Sequence, residues 1–312
     1  METPNQQQYK LPQDAVWFIT GCSSGIGQAL AEVIAQSPNR VVATARKVSA
    51  LTSIPDSASV LKLQLDVTSQ KSIDTAFKET LAKFGRVDVV VNNAGYTLAG
   101  DTEGAEDGEA RAVLDTNFWG MVNVTKSALA IMREENPKTG QQGGVIVNIS
   151  SMGGWTGYPG QAFYHASKFA MEGFTESVAK ELPAAWNIHL TNIEPGGVKT
   201  NYATSSLKPM ANRHPAYNQP NYPTNMLLGY MQSEQGRALW AEPRALAGAI
   251  YRVVSRGKRI PIRVPLGADA WGMIAKDLED TKADLEEIKD ISLSVGDAKQ
   301  FETIDFLKKD AA

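Results

Sequence analysis

Short apolar segments rich in β-branched residues alternate along the chain with stretches in which apolar residues recur at helical spacing. Several of the short segments are apolar at successive positions, which is typical of strands that helices cover on both faces. Regular alternation of this kind predicts an α/β fold with a doubly wound parallel sheet of about seven strands and helices on both faces. The predicted strands are "AVWFIT" (15–20), "RVVATA" (40–45), "VLKLQL" (60–65), "VDVVVNN" (87–93), "GVIVNIS" (144–150), "IHLTNIE" (188–194) and "RIPIRVP" (259–265).

The same pattern divides the chain into regions. Residues 1–13 are polar and precede the first strand, so we expect them to form an N-terminal tail. Residues 14–312 are expected to form a single domain. Asn, Pro, Tyr and Met crowd together at 200–241, which indicates an excursion from this domain rather than a linker between two. A charged, amphipathic pattern follows the last strand, so residues 266–312 are expected to form a helical extension.

The first predicted strand leads directly into the glycine-rich loop "TGCSSGIG" (20–27), and the helical pattern "QALAEVIAQ" follows. Glycine and serine are also typical of an ordinary turn. The strand–turn–helix setting favours a different interpretation, because the first N–H groups of a helix can bind a phosphate. It predicts a Rossmann-type dinucleotide site whose loop residues are Gly21, Ser23, Ser24, Gly25, Ile26 and Gly27.

Charge and cysteine content narrow the class of protein. The formal net charge is −3 and the basic residues form no long run, so nucleic acid is not an expected partner. Cys22 is the only cysteine, which excludes an internal disulfide and indicates a reducing compartment. Residues 1–13 lack the pattern of a signal peptide, and no apolar run approaches the about 18 residues of a membrane span. We therefore expect a cytoplasmic protein without a membrane span.

The end of the second predicted strand bears on the choice of cofactor. This strand ends at Ala45, and Arg46 and Lys47 follow it. In a dinucleotide-binding sheet an acidic residue at this position would bind the free 2′-hydroxyl of the adenosine ribose. Here the acid is missing, and a guanidinium is available to bind a 2′-phosphate. Arg46 therefore favours NADP(H) as the cofactor, and a solvent-exposed loop arginine is the alternative.

Two further strand ends carry candidate cofactor contacts. "LQLDVTS" places Asp66 and Val67 after the third strand, where the aspartate can accept from the adenine amino group or cap the following helix. "NNAG" ends the fourth strand with the small residues Asn93, Ala94 and Gly95, where a cofactor must pass close to the backbone. By itself this second motif is also typical of an ordinary turn.

The most specific signal follows the fifth predicted strand. Ser151 comes directly after this strand, and "YHASK" places Tyr164 and Lys168 on one face of a helix, one turn apart. A nearby cation favours the phenolate form of a tyrosine, so this pair can exchange a proton with an alcohol or a ketone. Without the dinucleotide pattern before it, an exposed helix pair would be the better interpretation. His165 is expected to point elsewhere on the helix and to take no part.

In their order and spacing, "TGCSSGIG", "NNAG", "NISS", "YHASK" and "PGGVKT" resemble the motifs of the short-chain dehydrogenase/reductase family, from about residue 14 to 200 and more loosely to about 265. The resemblance implies that Tyr164 is the general acid/base. It implies that Lys168 binds the nicotinamide ribose and lowers the pKa of the tyrosine, and that Ser151 orients the substrate carbonyl. Asn117, in "DTNFWG", would hold a water in the proton relay. The implied cofactor contacts are Gly21, Gly25, Gly27, Asp66, Asn93, Pro195, Gly196 and Thr200, with Val198 in the same segment.

Within the family, "TGCSSGIG", "LQLDV" and "ASKFAMEGFTES" are most similar to the 17β-hydroxysteroid and retinol dehydrogenase-like branch. The resemblance implies an oxidoreductase that transfers hydride between a nicotinamide and a carbonyl or secondary alcohol. Arg46 adds the expectation that it depends on NADP(H), and an NADP(H) site favours ketone reduction. The alternative is a non-redox cofactor-binding module or a cyclase on the same scaffold. Such a protein would be expected to tolerate loss of Tyr164 or Lys168, and both are present. The family further implies a homodimer or homotetramer, paired through helices at about 106–133 and 162–182.

Residues 200–241 stand where the family builds a mobile lid over its substrate. The apolar and aromatic side chains of this segment indicate a bulky, lipophilic carbonyl compound as the substrate, or they only dock the lid onto the core. No cluster of metal-ligating residues accompanies the site, so no metal is expected. The lid side chains are Tyr202, Leu207, Met210, Tyr217, Tyr222, Met226, Leu227, Leu228, Tyr230, Met231 and Trp240.

Overall fold

The computed structural model of the chain describes residues 3–200 and 206–307. Its centre is a parallel sheet of seven strands in the order β3-β2-β1-β4-β6-β7-β9, which confirms all seven predicted strands and the doubly wound fold. A separate parallel pair, β5 with β8, was not predicted. The strands are β1 (Val16–Ile19), β2 (Arg40–Ala45), β3 (Val60–Gln64), β4 (Val89–Asn92), β5 (Thr97–Ala99), β6 (Gly144–Ile149), β7 (Ile188–Pro195), β8 (Leu207–Pro209) and β9 (Arg263–Leu266).

Helices cover both faces of the large sheet, so that its central strands β1, β4 and β6 are buried at every position. Val89 and Val91 of β4 pack in one core with α1 and α8, and Val90 packs in the other core with α2, α4 and α5. A π-helical turn, Asp115–Trp119, joins α3 to α4. The helices are α1 (Gly25–Ala35), α2 (Gln70–Phe84), α3 (Asp107–Leu114), α4 (Gly120–Glu134), α5 (Ala162–Glu181), α6 (Pro223–Gln232), α7 (Glu234–Arg237), α8 (Pro243–Ser255), α9 (Ala268–Glu287) and α10 (Lys289–Leu293).

The chain order reverses between β1 and β4, which are neighbours in the sheet although β2 and β3 intervene in the sequence. At such a switch point the loops after the two strands diverge to opposite faces and leave a crevice at the carboxyl ends of the strands. The glycine-rich loop follows β1 and the "NNAG" segment follows β4, so both line this crevice.

The N-terminal segment is not a tail, because it is packed against the sheet from residue 3 onward. The Asn5 amide donates hydrogen bonds to the carbonyls of Leu190 (2.8 Å) and Ile260 (2.9 Å). Tyr9 is 1% exposed, and its ring packs edge-on against that of His189. The polar composition of this segment predicts that it is exposed. A polar residue can also be buried where it forms hydrogen bonds with the backbone, as Asn5 does.

The lid segment leaves the sheet after β7 and returns to it at a bridge between Val198 and Ala241. Between these points lie β8, α6 and α7. The Arg213 guanidinium forms an ion pair of 2.6 Å with the buried Asp101 carboxylate, which ties the lid to the loop after β5. Tyr202, which the sequence includes among the lid side chains, lies outside the described residues.

The last part of the described chain is helical, as the sequence predicts. Ala270 and Ile274 bury one side of α9, and most of its other side chains are exposed. Within residues 3–200 and 206–307 no helix combines the length and the apolar character that crossing a membrane requires.

Candidate active site

A cavity of about 890 Å³ lies at the carboxyl ends of β1, β2, β4, β6 and β7. It brings together 18 of the 20 residues that the sequence predicts for the site, and only Gly27 and Asn117 do not line it. The predicted residues in its wall are Gly21, Ser23, Ser24, Gly25, Ile26, Arg46, Asp66, Val67, Asn93, Ala94, Gly95, Ser151, Tyr164, Lys168, Pro195, Gly196, Val198 and Thr200.

The glycine-rich loop has the geometry of a phosphate cradle. Gly21 has a φ of +71°, and a Cβ there would lie 3.0 Å from the Ala94 Cα. Ser24 is the N-cap of α1, but its side chain makes no capping hydrogen bond. The first N–H groups of α1 therefore remain available for an anion at the positive end of the helix dipole. This loop fits the pyrophosphate of a dinucleotide.

Gly27 lies behind this loop and serves its packing. A Cβ at Gly27 would stand 2.4 Å from the Asn93 Nδ2. That amide donates hydrogen bonds to the carbonyls of Thr20 (2.9 Å) and Gly21 (3.0 Å). Asn93 thus clamps the loop after β1 to the loop after β4, and the missing side chain of Gly27 leaves room for the clamp.

Arg46 stands directly after β2 on the wall of the cavity, as predicted. In the part of the chain that the structure describes, it forms no salt bridge. The charge of the guanidinium lowers the pKa of the Asp66 carboxyl, but hydrogen bonds from Thr68 lower that pKa more. An arginine in this position can turn its donors toward an anion in the cavity.

The two interpretations of Asp66 are separated by its contacts. Its Oδ1 accepts hydrogen bonds from the backbone N–H (3.0 Å) and the hydroxyl (2.7 Å) of Thr68. Ser69, not Asp66, is the N-cap of α2 and accepts from the Ser72 N–H. The carboxylate therefore shapes the loop after β3 and lines the cavity, and it does not cap the helix.

Tyr164 and Lys168 occupy adjacent turns of α5, with the Lys168 Nζ 5.7 Å from the centroid of the tyrosine ring. The ammonium donates a 2.7 Å hydrogen bond to the carbonyl of Ile149, the last residue of β6. Two residues further, the Ser151 Oγ accepts from the Gly153 N–H at 3.0 Å. This contact leaves the serine O–H proton available for another acceptor. The carboxyl end of β6 thus positions the lysine and the serine around one phenol.

Burial governs the protonation of this group of residues. Desolvation raises the pKa of the Tyr164 phenol, and a hydrogen bond with Ser151 opposes that rise. Desolvation lowers the pKa of Lys168 to about 8, against the attraction of the Glu172 carboxylate. The net shift of the Tyr164 pKa is upward because desolvation is a larger effect than the hydrogen bond with Ser151. Tyr164 is therefore a neutral phenol at neutral pH.

Asn117 lies in the π-helical turn, fully buried, outside the cavity wall. Its Oδ1 accepts from the Tyr96 N–H at 3.0 Å, and its Nδ2 donates to the Tyr96 carbonyl at 2.9 Å. The same Nδ2 lies 3.1 Å from the Ser167 Oγ on α5. The side chain thus ties the loop after β4 to the helix that carries Tyr164.

The expectation that His165 points elsewhere is wrong, because its ring lines the cavity. The ring packs edge-on between Tyr158 and Tyr164, with centroids 5.4 Å and 5.5 Å away. Its Nδ1 lies 2.9 Å from the Gly153 carbonyl, and burial lowers its pKa. Helical spacing places residues 164 and 165 about 100° apart, but the turn after β6 folds back over this part of α5. His165 is therefore a neutral aromatic side chain that supports that turn.

Several side chains of the cavity wall carry no motif in the sequence. Tyr96 follows the "NNAG" segment, and the Lys208 Nζ of β8 lies 4.3 Å from the centroid of its ring. The first two turns of α9 add Asp269 and Met273. The Asp269 Oδ2 accepts from the Gly197 N–H at 2.7 Å, so the C-terminal extension fixes the turn after β7. These contacts join segments far apart in sequence, which a local pattern cannot reveal.

Comparison with known proteins agrees with the motifs. The family model of the short chain dehydrogenases matches residues 15–211. The chain is similar to the oxidoreductase calM of Penicillium decumbens, with 43% identity over 297 residues that cover 94% of this chain and 96% of the relative. It is also similar to the 3-ketodihydrosphingosine reductase of Bacteroides thetaiotaomicron, with 32% identity over 265 residues that cover 85% and 92%.

The fold has a counterpart among solved structures. The crystal structure of a short-chain dehydrogenase from Streptomyces avermitilis superposes with a TM-score of 0.77 at 31% identity, over 90% of this chain and 100% of that chain. Proteins named 11-beta-hydroxysteroid and retinol dehydrogenases also match, each over 59% of the chain. These matches confirm the resemblance to the hydroxysteroid and retinol dehydrogenase-like branch.

Proposed function

The chain belongs to the short chain dehydrogenase family, and we propose that it is an NADP(H)-dependent reductase of a bulky, lipophilic ketone. The observation that carries the proposal is one cavity wall on which Ser151, Tyr164 and Lys168 stand beside a glycine-rich phosphate cradle. Proton transfer and cofactor binding would thereby meet in a single cavity, as carbonyl reduction requires.

The cofactor would lie along the carboxyl edge of the sheet. The N–H groups at the start of α1 would bind its pyrophosphate. Asp66 and the "NNAG" backbone would flank the adenosine, and Thr200 would meet the nicotinamide end. A bound nicotinamide supplies or accepts hydride, and the residues of this chain handle the proton.

The protonation of the wall favours reduction. A neutral Tyr164 phenol can donate its proton to the oxygen of a ketone. Ser151 donates a hydrogen bond to the same oxygen and orients it. Lys168, whose pKa lies at about 8, is largely protonated at neutral pH and stabilises the phenolate that remains.

NADP(H) is proposed as the cofactor because of the charges after β2. Ala45 offers no carboxylate to a ribose hydroxyl, and Arg46 offers two parallel N–H donors to a 2′-phosphate. Lys47, which is exposed, adds a second positive charge. An NADP(H) site favours the reductive direction.

The substrate end of the cavity is largely apolar and aromatic. The lid contributes Leu227, Tyr230, Met231 and Trp240 to the wall, and α9 contributes Met273. Such a lining binds an extended apolar body better than a sugar or a small charged acid. The similarity to a protein named 3-ketodihydrosphingosine reductase supports a lipophilic ketone as the substrate class.

A panel of ketones and aldehydes, assayed with NADPH by the loss of nicotinamide absorbance, tests this proposal. We expect turnover with long-chain or polycyclic ketones and little with sugars. The matched control is Tyr164→Phe, which should bind NADPH with wild-type affinity and reduce none of the compounds at a comparable rate. A panel in which no carbonyl compound is reduced, although NADPH binds, would contradict the reductase and favour a non-redox cofactor-binding protein.

A further inference from the structure

Two glutamates meet behind the catalytic helix, at a place that the proposed reaction does not use. Glu172 lies on α5, one turn after Lys168, and Glu194 lies near the end of β7. Their relative exposures are 4% and 0%. Buried carboxylates are rare unless a cation or a set of hydrogen-bond donors compensates them.

Each carboxyl group has one satisfied and one unsatisfied oxygen. The Glu172 Oε2 accepts from the Asn192 Nδ2 at 2.6 Å, and the Glu194 Oε1 accepts from the Trp155 indole N–H at 2.8 Å. Among the described residues neither the Glu172 Oε1 nor the Glu194 Oε2 makes a hydrogen bond of ordinary geometry, although the Ser150 hydroxyl is near enough to Glu172 to lower its pKa. The two carboxyl groups are close enough for each to shift the pKa of the other. A proton between them would supply the donor that both remaining oxygens lack.

The cations around the pair compensate Glu172 and not Glu194. The Arg263 Nε of β9 lies 3.4 Å from the Glu172 Oε2, but its guanidinium is shared with Glu176, which it contacts at 2.8 Å. Two further cations stand on α5: Lys180, which pairs with Glu176 at 2.6 Å, and Lys168, whose ammonium is bonded to the Ile149 carbonyl. Three carboxyl groups thus face three cations, but among the described residues none of these cations forms a salt bridge with Glu194.

The remaining neighbours of the pair carry no charge at neutral pH. The turn after β6 contributes Trp155, and the end of β6 contributes the Ser150 hydroxyl. On α5 the next titratable group is His165, whose pKa burial lowers. None of these three can replace a missing cation.

The pair also connects the two parts of the catalytic wall. A Cβ at Gly154 would lie 3.0 Å from the Glu172 Cγ, so the turn that begins at Ser151 packs directly on this glutamate. Trp155, at the end of the same turn, holds Glu194 and lies beneath the Arg263 guanidinium at 4.9 Å. Glu172 belongs to the helix of Tyr164 and Lys168, so the pair joins that helix to the turn of Ser151.

We propose that Glu172 and Glu194 share one proton and act as positioning residues, which hold the Ser151 turn against the helix of Tyr164 and Lys168. Loss of the shared proton leaves two buried carboxylates in contact, and their repulsion separates the turn from the helix. The active site therefore loosens as pH rises. The catalytic consequence rests on the proposed function, whereas the proton sharing does not.

The sign of the effect on stability follows from the protonation of each state. Burial, with the Glu172 charge as the second cause, raises the pKa of Glu194 to about 8 from its ordinary value of 4.5. The folded state therefore holds a proton that the unfolded state has lost between these two values. Across this window the folded state loses stability as pH rises, and above a pH of about 8 both states have released the proton.

The first test measures the melting temperature of the wild-type protein and of Glu194→Gln between pH 6 and pH 8, without cofactor. One extra proton bound in the folded state lowers the melting temperature by about 5–10 °C over two pH units in a protein of this size. We expect the variant to lose less stability than the wild type by that amount. Glu79→Gln is the control, because it removes an exposed carboxylate of α2 that takes no part in this cluster, and it should follow the wild type.

The second test can be decided on the wild-type protein alone, and the variants only assign the signal. Infrared difference spectra of the wild-type protein between neutral and alkaline pH should show loss of a protonated carboxylic acid C=O band near pH 8, and Glu194→Gln or Glu172→Gln should lack it. Absence of that band from the wild type, or melting temperatures of wild type and Glu194→Gln that fall in parallel, would overturn the shared proton.

The catalytic arm compares the pH profiles of kcat for wild type and Glu194→Gln, once a substrate is known. The variant should keep neutral-pH kcat within about threefold and lose less activity between pH 7 and pH 9. Identical profiles would overturn the positioning role. If no ketone is reduced at all, the proposed function fails, and the infrared and melting results still decide whether the proton is shared.

Discussion

The Lys168 Nζ lies 5.7 Å from the centroid of the Tyr164 ring and is bonded at 2.7 Å to the carbonyl of Ile149. The hydrogen bond fixes the ammonium at the end of β6, so that its distance from the phenol is set by the sheet rather than by a flexible side chain. A buried cation of this kind stabilises a phenolate as it forms, while burial keeps the phenol protonated beforehand. This arrangement is suited to a proton donor.

Replacing Tyr164 by phenylalanine removes the proton donor and preserves the ring. We predict that kcat falls by about 10² or more, the usual contribution of a positioned acid, while the Kd for NADPH stays within about threefold. Single-turnover kinetics and NADPH fluorescence titration measure the two quantities. Tyr158→Phe, which removes another phenol from the same cavity wall, is the control and should lose less than about tenfold. Near-normal turnover in a folded, NADPH-bound Tyr164→Phe protein would remove the phenol from the mechanism.

Replacing Arg46 by alanine tests the cofactor preference. A charge-assisted contact contributes about 1.5–3 kcal/mol, so kcat/KM for NADPH should fall by about 10- to 150-fold and kcat/KM for NADH should stay nearly constant. Adding Ala45→Asp should then turn the preference toward NADH. Lys78→Ala is the control, since this exposed lysine of α2 does not line the cavity. Equal use of both cofactors by the wild type, or equal losses in Arg46→Ala, would make Arg46 an ordinary surface arginine.

Asn117 is predicted to act through the backbone of Tyr96. Asn117→Ala leaves the N–H and carbonyl of Tyr96 without their side-chain partner, which should cost about 2 kcal/mol and lower Tm by about 4–8 °C. The loop after β4 and α5 would also lose a tie, so kcat should fall more than NADPH affinity. Asn123→Ala, on the following turns of α4, is the control. Unchanged Tm and kcat in Asn117→Ala would show that the π-helical turn holds without this side chain.

We propose that the protein forms at least a dimer through the elements around α4 and α5. Trp119 and Phe169, on these elements, are 52% and 46% exposed, which is unusual for such large apolar side chains. Phe169→Asp should shift the mass from dimer to monomer in light scattering at micromolar concentration. Leu285→Asp, an equally apolar exposed position on α9, should not. A wild-type monomer under these conditions would contradict the proposal.

The sequence predicted those parts of the site that depend on local patterns. The apolar runs marked the strands, and the loops after them had to meet at one edge of a parallel sheet. The strand pair β5 and β8 was missed because each strand has three residues, too few for a pattern, and Leu207–Pro209 ends in a proline.

Other parts depend on contacts between distant segments. Asp269 reaches the Gly197 N–H from α9, and Glu172 meets Glu194 across two elements. In each case the residue type is unremarkable in its own segment, and only the packing of helix on sheet gives it a role. The direction of the Tyr164 pKa shift could not be predicted from a local pattern either, because burial is a property of the folded chain.

The central claim is that this wall delivers a proton from Tyr164 to a carbonyl that receives hydride from NADPH. Its most direct test is the reduction of a lipophilic ketone with NADPH deuterated at the nicotinamide C4, on either face, followed by mass spectrometry of the alcohol. We predict that one of the two labelled cofactors places a single deuterium on the carbinol carbon, and that Tyr164→Phe forms this product at least about 100-fold more slowly. An alcohol without deuterium from either cofactor, or equal rates for wild type and Tyr164→Phe, would contradict the account.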